Sequence, residues 1–280
     1  MVVAEGNISY IINARSIHWQ ARKVGIDMGR LPVALQVYSI REDAQQDFVK
    51  AMQEVKAMGY DGVELAGLYG YTPQEVRDIL EKVGLVPISA HVAYQEFKKD
   101  MEKTALDYAT IGCKYIAIPY LLEDQRYGTE FFEEFMADIP AIAAACRKVG
   151  ITLMYHNHDF EFLKTTEGEY VLDYMYRIHG EEIWQVELDT CWTKYAGEDP
   201  ATYMKKYEGR LPIVHLKDYK EGTPFEFRAV GHGVQDIPSI LSQAEAGGSQ
   251  WLVVEQDRHT ENTALWDARI SRDYLKHLGY

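Results

Sequence analysis

The chain has 280 residues, of which 47% are hydrophobic and 26% are charged, and its formal net charge is −14 at pH 7. This balance is typical of a globular domain with a sizeable core. Nucleic acids and anionic membranes are bound by clustered Lys and Arg, so the acidic balance argues against both as the main partner. A small anionic substrate stays compatible with it, because a local pocket can be positive on an acidic protein.

The cysteines indicate a reducing compartment, and the apolar runs are too short to cross a membrane. Cys113, Cys146 and Cys191 are widely spaced and form no CxxC pair, which argues against a disulfide framework or a cysteine-based zinc site. No apolar run approaches the roughly 20 residues of a membrane-spanning helix. We therefore expect a cytoplasmic protein.

The first 30 residues follow no clear strand or helix period and lack the continuous apolar centre of a signal peptide. We predict an N-terminal extension over residues 1–30 and a single domain over residues 31–280. Met28 directly precedes the first convincing strand, so one hypothesis is that the physiological chain starts there. The rival hypothesis is an ordered arm supplied by residues 8–12, and the intact mass of the native protein distinguishes the two.

From Leu31 onward, short apolar runs alternate with segments of helical period. The predicted strands are 33–39, 62–66, 86–91, 115–119, 152–156, 184–189, 213–217 and 251–255. Thr72-Pro73-Gln74-Glu75 is a typical helix start, with Thr72 as the N-cap. This alternation predicts one closed (β/α)8 TIM barrel. The alternative, a doubly wound open sheet, is weakened because no GxGxxG turn follows an early strand.

Polar residues end several of these otherwise apolar strands, and the chemistry of such barrels lies at the C-terminal strand ends. They are Gln36, Glu64, His91, His156, His158, Glu187, Asp189, His215, Lys217, Glu255 and Asp257. Because residues two apart share a strand face, strands five to eight each direct two ionisable groups to one side. Burying such a set without a cation is costly. We therefore predict one divalent metal ion held by Asp189, His215, Glu255 and a histidine of the His156–His158 pair. Mixed imidazole and carboxylate ligands suit Mn²⁺, Co²⁺, Zn²⁺ or Fe²⁺.

Five stretches carry a family resemblance: 35–41 (LQVYSIR), 155–162 (YHNHDFEF), 187–189 (ELD), 214–218 (VHLKD) and 254–258 (VEQDR). From about Leu31 to its end, the chain resembles the sugar phosphate isomerase/epimerase family. These are xylose-isomerase-like TIM barrels that include inosose dehydratase and ketose 3-epimerases. The resemblance implies one metal ion held from strands five to eight, and Asp189, His215 and Glu255 match the last three ligands.

The strand-five ligand departs from the pattern of the resemblance. The epimerases have a Glu there, which also serves as one of two acid/base carboxylates, whereas this chain has His156 within a His-Asn-His run. The sequence leaves open whether His156 or His158 reaches the metal. The departure puts a simple epimerisation by two carboxylates in doubt.

The resemblance implies proton abstraction next to a carbonyl through a metal-stabilised enediolate. An imidazole is a natural base where the strand-five carboxylate is missing, so His158 is the candidate base. Glu255 is the candidate second acid/base group while it also ligates the metal. Returning the proton gives a sugar isomerase or epimerase. Expelling a β-leaving group instead gives the alternative, a lyase or dehydratase on a keto-sugar, an inosose or a 3-oxo-glycoside.

Five side chains are candidate substrate contacts: Glu64, His91, Trp192, Lys217 and Arg258. Trp192 stands where epimerases tend to have a His, and it either offers a stacking face or anchors a loop at the barrel rim. Lys217 and Arg258 either neutralise an anionic substrate or form ion pairs with Asp218 and Asp257.

Two further features bear on the site. Glu187 lies deeper than Asp189 and is a candidate for orienting a metal ligand. Gly231-His232-Gly233 is typical of a tight turn and is weak evidence for phosphate binding. Two other classes of function stay open: an endonuclease of the related DNA-repair branch, which the missing basic groove disfavours, and a sugar-binding barrel without metal. A homo-oligomer is also left open.

Overall fold

The computed structural model describes residues 30–280, so the hypotheses about Met28 and residues 8–12 lie outside the described residues. Eight parallel strands form the central sheet. They are β1 Val33–Gln36, β2 Gly62–Leu65, β3 Val86–Ala90, β4 Tyr115–Ile118, β5 Thr152–His156, β6 Gln185–Asp189, β7 Ile213–Leu216 and β10 Trp251–Val254. A separate antiparallel hairpin, β8 (Asp218–Lys220) and β9 (Glu226–Arg228), lies between β7 and β10 in the chain.

The sheet curls into a barrel. Its strand order is β3-β2-β1-β10-β7-β6-β5-β4. The two ends meet where His91 pairs with Ala117 and the Val92 N–H donates to the Ala117 carbonyl at 2.9 Å. The predicted TIM barrel is therefore confirmed, and the doubly wound open sheet is wrong.

Helices cover the outside of the barrel. They are α1 Arg41–Gln46, α2 Phe48–Met58, α3 Pro73–Val83, α4 Tyr94–Ile111, α5 Glu130–Lys148, α6 Val171–Ile178, α7 Thr190–Tyr195, α8 Pro200–Met204, α9 Ile237–Gly247 and α10 Ala264–His277. Short 3₁₀ helices span Val37–Ile40, Glu123–Gln125, Phe160–Phe162 and Lys205–Tyr207. The predicted start of α3 is confirmed, because Thr72 and Glu75 form a reciprocal capping box. No helix in residues 30–280 is long and apolar enough to span a membrane.

The first strand ends earlier than predicted. The Gln36 side chain accepts a hydrogen bond from the Tyr38 N–H at 2.9 Å, and the chain turns there into the 3₁₀ helix Val37–Ile40. An N-cap of this kind satisfies a backbone donor that the strand ladder no longer pairs. The turn moves Tyr38 out of the sheet, so that it lines the cavity described below.

The barrel interior changes from apolar to polar along the strands. Its lower part is filled by small and aliphatic side chains, namely Ala34, Ile88, Ala117, Met154, Ile213 and Val253. Because residues two apart share a face, the next inward positions on β5, β7 and just after β10 are His156, His215 and Glu255. The apolar floor thus supports a layer of ionisable groups at the C-terminal ends of the strands.

Candidate metal centre and cavity

Four side chains from consecutive strands converge in this layer. His156, Asp189, His215 and Glu255 are all buried, and each offers one ligand atom within 4.8 Å of the others. His156 Nε2 lies 3.7 Å from Asp189 Oδ2 and 4.0 Å from Glu255 Oε2. Tetrahedral ligands about 2.1 Å from a zinc ion are separated by about 3.4 Å, so this donor set fits one divalent ion. The structure brings the predicted ligand set together.

Neighbouring carboxylates fix which ring nitrogens face the centre. His156 Nδ1 lies 3.1 Å from Glu187 Oε2, and His215 Nε2 lies 2.6 Å from Glu64 Oε2. These contacts turn His156 Nε2 and His215 Nδ1 toward the other two members of the set, and His215 Nδ1 lies 2.9 Å from Glu255 Oε2. Carboxylates usually orient imidazole ligands in this way. Of the two histidines left open by the sequence, His156 is the one whose ring reaches the cluster.

Glu64 and Glu187 form a buried network below the ligands. Glu64 accepts hydrogen bonds from Gln36 Nε2 at 2.8 Å and from Ser89 Oγ at 2.5 Å. His91 Nε2 lies 2.7 Å from Glu187 Oε2 and 3.2 Å from Glu64 Oε2. Burial opposes the charge of both carboxyls. His91 and His215 nevertheless lower the pKa of Glu64 to about 2, whereas burial and the Glu64 charge raise that of Glu187 to about 7.

This network corrects one expected substrate contact. Glu64 has no exposed surface and is not among the residues that line the cavity, because its carboxylate is engaged inside the barrel. His91 does line the cavity, and its Nε2 connects the cavity wall to the buried Glu187 carboxylate. The predicted orienting position of Glu187 matches its contact with His156.

Lys217 is buried against three carboxylates. Its Nζ lies 3.0 Å from Asp189 Oδ2, 3.0 Å from Glu255 Oε2 and 3.1 Å from Asp257 Oδ1. Burial opposes the ammonium charge, but these carboxylates raise the pKa of Lys217 well above its usual value. Lys217 thus forms the expected ion pair with Asp257 and holds charge beside the metal ligands.

The expected ion pair between Lys217 and Asp218 is wrong. Asp218 is adjacent to Lys217 in sequence, and successive side chains of an extended segment point to opposite sides. Its carboxylate accepts backbone N–H groups from Tyr219, Gly231, Gly233 and Gln235 at 2.9–3.1 Å. The Gly231–Gly233 turn is confirmed, and the chain's own carboxylate occupies the donors that a phosphate would need.

A cavity of about 790 Å³ opens above the ligands. It is lined by side chains from several strand ends and loops: Tyr38, Arg41, His91, Tyr120, Arg126, His156, His158, Asp159, Phe160, Trp192, Phe225, Phe227, Glu255, Asp257 and Arg258, together with Ala66, Ala93 and Pro119. Of the candidate substrate contacts, His91, Trp192 and Arg258 line this cavity, and their contact with substrate stays a prediction. Sequence reasoning missed Arg41, Arg126, Phe225 and Phe227, which lie outside the eight barrel strands, although the Phe225-Glu226-Phe227 run was a visible aromatic signal.

The position of Trp192 suits both roles that the sequence left open. Its ring stacks on Phe225 of the hairpin loop, with centroids 5.6 Å apart and an interplanar angle of 17°. It also lines the cavity, and its buried Nε1 has no hydrogen-bond partner among the described residues. Trp192 thus anchors the hairpin and gives the cavity an aromatic wall.

His158 lies on the cavity wall beside the cluster. Its ring centroid is 5.3 Å from that of His156 and 5.7 Å from that of Phe160, on which it stacks at 12°. Its Nδ1 is buried without a hydrogen-bond partner in the described part of the chain. Burial and the Lys217 charge lower the pKa of His158 to about 3, whereas we expected a base near neutrality. The imidazole is therefore neutral and able to accept a proton, but its basicity is weak.

Comparisons with known proteins agree with the architecture. A family model described as a xylose isomerase-like TIM barrel matches residues 52–277. A search of the curated proteins found no match.

Two structures of sugar phosphate isomerase/epimerases from Parabacteroides distasonis are similar to this chain. One is 25% identical with a TM-score of 0.75 and covers 88% of this chain and 98% of that chain. The other is 20% identical with a TM-score of 0.77, covering 89% and 97%. An IolI protein with a bound zinc atom is 14% identical with a TM-score of 0.69, covering 89% and 99%.

Proposed function

Because the chain belongs to the xylose isomerase-like TIM barrel family, we propose that it is a divalent-metal-dependent isomerase or epimerase of keto-sugars or sugar phosphates. The observation that carries this proposal is the set of four mixed ligands at the floor of the cavity, of which His156 and Glu255 line it. The names of the two Parabacteroides distasonis proteins support the sugar class. The zinc atom in the IolI structure supports a metal.

The residues present suit proton abstraction next to a carbonyl. A divalent ion held by the four ligands would polarise the carbonyl oxygen and stabilise the charge of an enediolate. His158 is the proposed base, since its neutral imidazole lies on the cavity wall with Nδ1 unengaged among the described residues. Trp192 and Phe225 keep water from one side of the substrate and offer flat faces to a sugar ring.

Glu255 is the proposed second acid/base group, as it lines the same cavity. Burial opposes its charge, but Lys217 and His215 lower the pKa of Glu255 well below its usual value. It is therefore a carboxylate in the resting protein and a weak proton acceptor. Return of the proton to the opposite face of the enediolate gives an epimer, and return to the neighbouring carbon gives an isomer.

One observation favours a second candidate, a lyase or dehydratase acting at the same centre. The strand-five ligand is His156, so the pair of carboxylates that would exchange protons on two faces of an enediolate is reduced to one. A single base followed by departure of a β-leaving group needs no second carboxylate. The substrate class and the first proton transfer are the same in both candidates.

Deuterium exchange separates these candidates. Protein purified without chelators is analysed for metal and incubated in D₂O with a panel of keto-sugars and keto-sugar phosphates. We expect one bound divalent ion and deuterium at the carbon next to the carbonyl, without loss of a leaving group. Loss of water or of a glycosidic group would instead identify the lyase.

Variants test the assigned residues. His158→Gln should reduce exchange about 10²–10⁴-fold, the usual contribution of a positioned acid/base group, with metal content unchanged. The exposed His277→Gln is the matched control. If His215→Ala and Glu255→Ala both retain the wild-type metal content, the proposed centre is wrong.

A further inference from the structure

Arg126 is fixed on the cavity wall next to His158. It lies in the connection between β4 and α5, and its guanidinium carbon is 3.7 Å from the Phe160 ring centroid. Its Nε donates to the Leu121 carbonyl at 3.2 Å, and its Nη2 donates to the Tyr120 hydroxyl at 2.8 Å. Cation–π contact and two hydrogen bonds hold the planar group in one orientation, so little side-chain entropy remains to be lost on binding.

The guanidinium keeps unused donors. Two of its five N–H hydrogens are engaged in these bonds, and no carboxylate of residues 30–280 forms an ion pair with it. Three donors therefore remain for a ligand in the cavity that Arg126 lines. A planar guanidinium with adjacent free N–H groups matches the two oxygens of a carboxylate or phosphate.

The charge of the cavity also favours an anion. Among the lining residues, Glu255 and Asp257 are already engaged by Lys217. The remaining charged lining residues are Arg41, Arg126, Arg258 and Asp159. Lys217 and a bound divalent ion would together balance the charges of Asp189, Glu255 and Asp257. Three arginines against one aspartate would then make this opening locally positive on a chain with a net charge of −14.

We propose that Arg126 binds an oxyanion group of the substrate, a carboxylate or a phosphate, and so orients the reacting carbons toward His158. The two side chains share two aromatic neighbours: His158 stacks on Phe160, and its ring centroid is 4.9 Å from that of Tyr120. The anionic end of the substrate would thus bind to Arg126, which packs on the same Phe160 ring as the base His158. The proposal rests on the proposed function for the identity of the reaction, but the charge preference is measured by binding alone.

Binding of three related ketoses tests the charge preference. D-fructose is the neutral probe, 5-keto-D-gluconate carries a carboxylate and D-fructose 6-phosphate carries a phosphate. Calorimetric titration of metal-replete wild-type protein should show at least tenfold tighter binding of one anionic probe than of D-fructose. The better anionic probe then distinguishes a carboxylate site from a phosphate site.

Variants assign the preference to Arg126. Arg126→Gln should remove it with metal content unchanged, and Arg126→Lys should retain part of it, because the charge stays while the paired donors are lost. Arg77→Gln, an exposed arginine on α3, is the control and should bind as wild type.

Three results would overturn the proposal: equal affinity for neutral and anionic probes, a preference that survives in Arg126→Gln, or no binding of any probe to metal-replete protein. Failure of the proposed function has a different signature. If metal-replete wild-type protein shows no deuterium exchange on any ketose, the proposed reaction is rejected, and the binding titration still measures the charge preference.

Discussion

The single side chain of Lys217 offsets part of the negative charge of the candidate metal centre. It has no exposed surface and contacts Asp189, Glu255 and Asp257. Two of these three carboxylates also belong to the ligand set, so one ammonium group leaves negative charge for a divalent ion to balance. Lys217 therefore links the candidate ligands Asp189 and Glu255 to Asp257 on the cavity wall, and its ammonium group is not free to donate to a substrate.

Lys217→Met should destabilise the protein strongly. Removing the cation leaves the buried Asp189 and Glu255 and the partly exposed Asp257 without their shared partner. Breaking a buried ion pair costs about 3–5 kcal/mol of unfolding free energy. Urea unfolding in the presence of EDTA measures this loss. Adding the metal should recover part of it, because the ion binds the folded chain. The exposed Lys114→Met should change stability by less than about 0.5 kcal/mol. Wild-type stability of Lys217→Met would show that the ion pairs contribute nothing.

At the scale of elements, the β8–β9 hairpin builds one wall of the cavity. It carries Phe227 and places Phe225 against Trp192. The Asp218 carboxylate connects the hairpin to the loop before α9. It accepts the N–H of Tyr219 in the hairpin and those of Gly231, Gly233 and Gln235 in the loop. A Cβ at Gly233 would collide with that carboxylate, so the loop requires glycine there.

Asp218→Ala should loosen this wall. It leaves several backbone donors unsatisfied, each costing about 1–3 kcal/mol when buried, so we expect a loss of about 3 kcal/mol or more. Asp218→Asn keeps one acceptor oxygen and should lose less. Urea unfolding gives the free energies, and hydrogen exchange of residues 218–235 should accelerate most in Asp218→Ala. Equal effects of the two variants would show that the hydrogen bonds are not the cause.

At the scale of the whole molecule, the barrel and the convergence of the four candidate ligands were predictable because both follow from strand periodicity. Apolar runs of period two locate the strands, and the rule that residues two apart share a face groups His215 with Lys217. Three-dimensional packing decides what the pattern cannot. Glu64 lies near the end of its strand, as a metal ligand would, but its carboxylate binds His215 instead. Arg126 is part of the cavity only because its loop folds over Phe160.

If the proposed metal is bound, the stability of the entire barrel should depend on it, since the proposed ligands are contributed by strands β5, β6 and β7 and by the residue after β10. An ion that binds only the folded chain adds about 2.7 kcal/mol at a hundredfold excess over its Kd. For a domain of this size about 1 kcal/mol shifts the Tm by about 2–4 °C, so removal with EDTA should lower the Tm by about 5–11 °C. Calorimetry with Zn²⁺ or Mn²⁺ restored measures the difference. His156→Ala should abolish most of the shift, whereas the exposed His277→Ala should retain it. A shift of equal size in both variants would place the stabilising ion elsewhere on the chain.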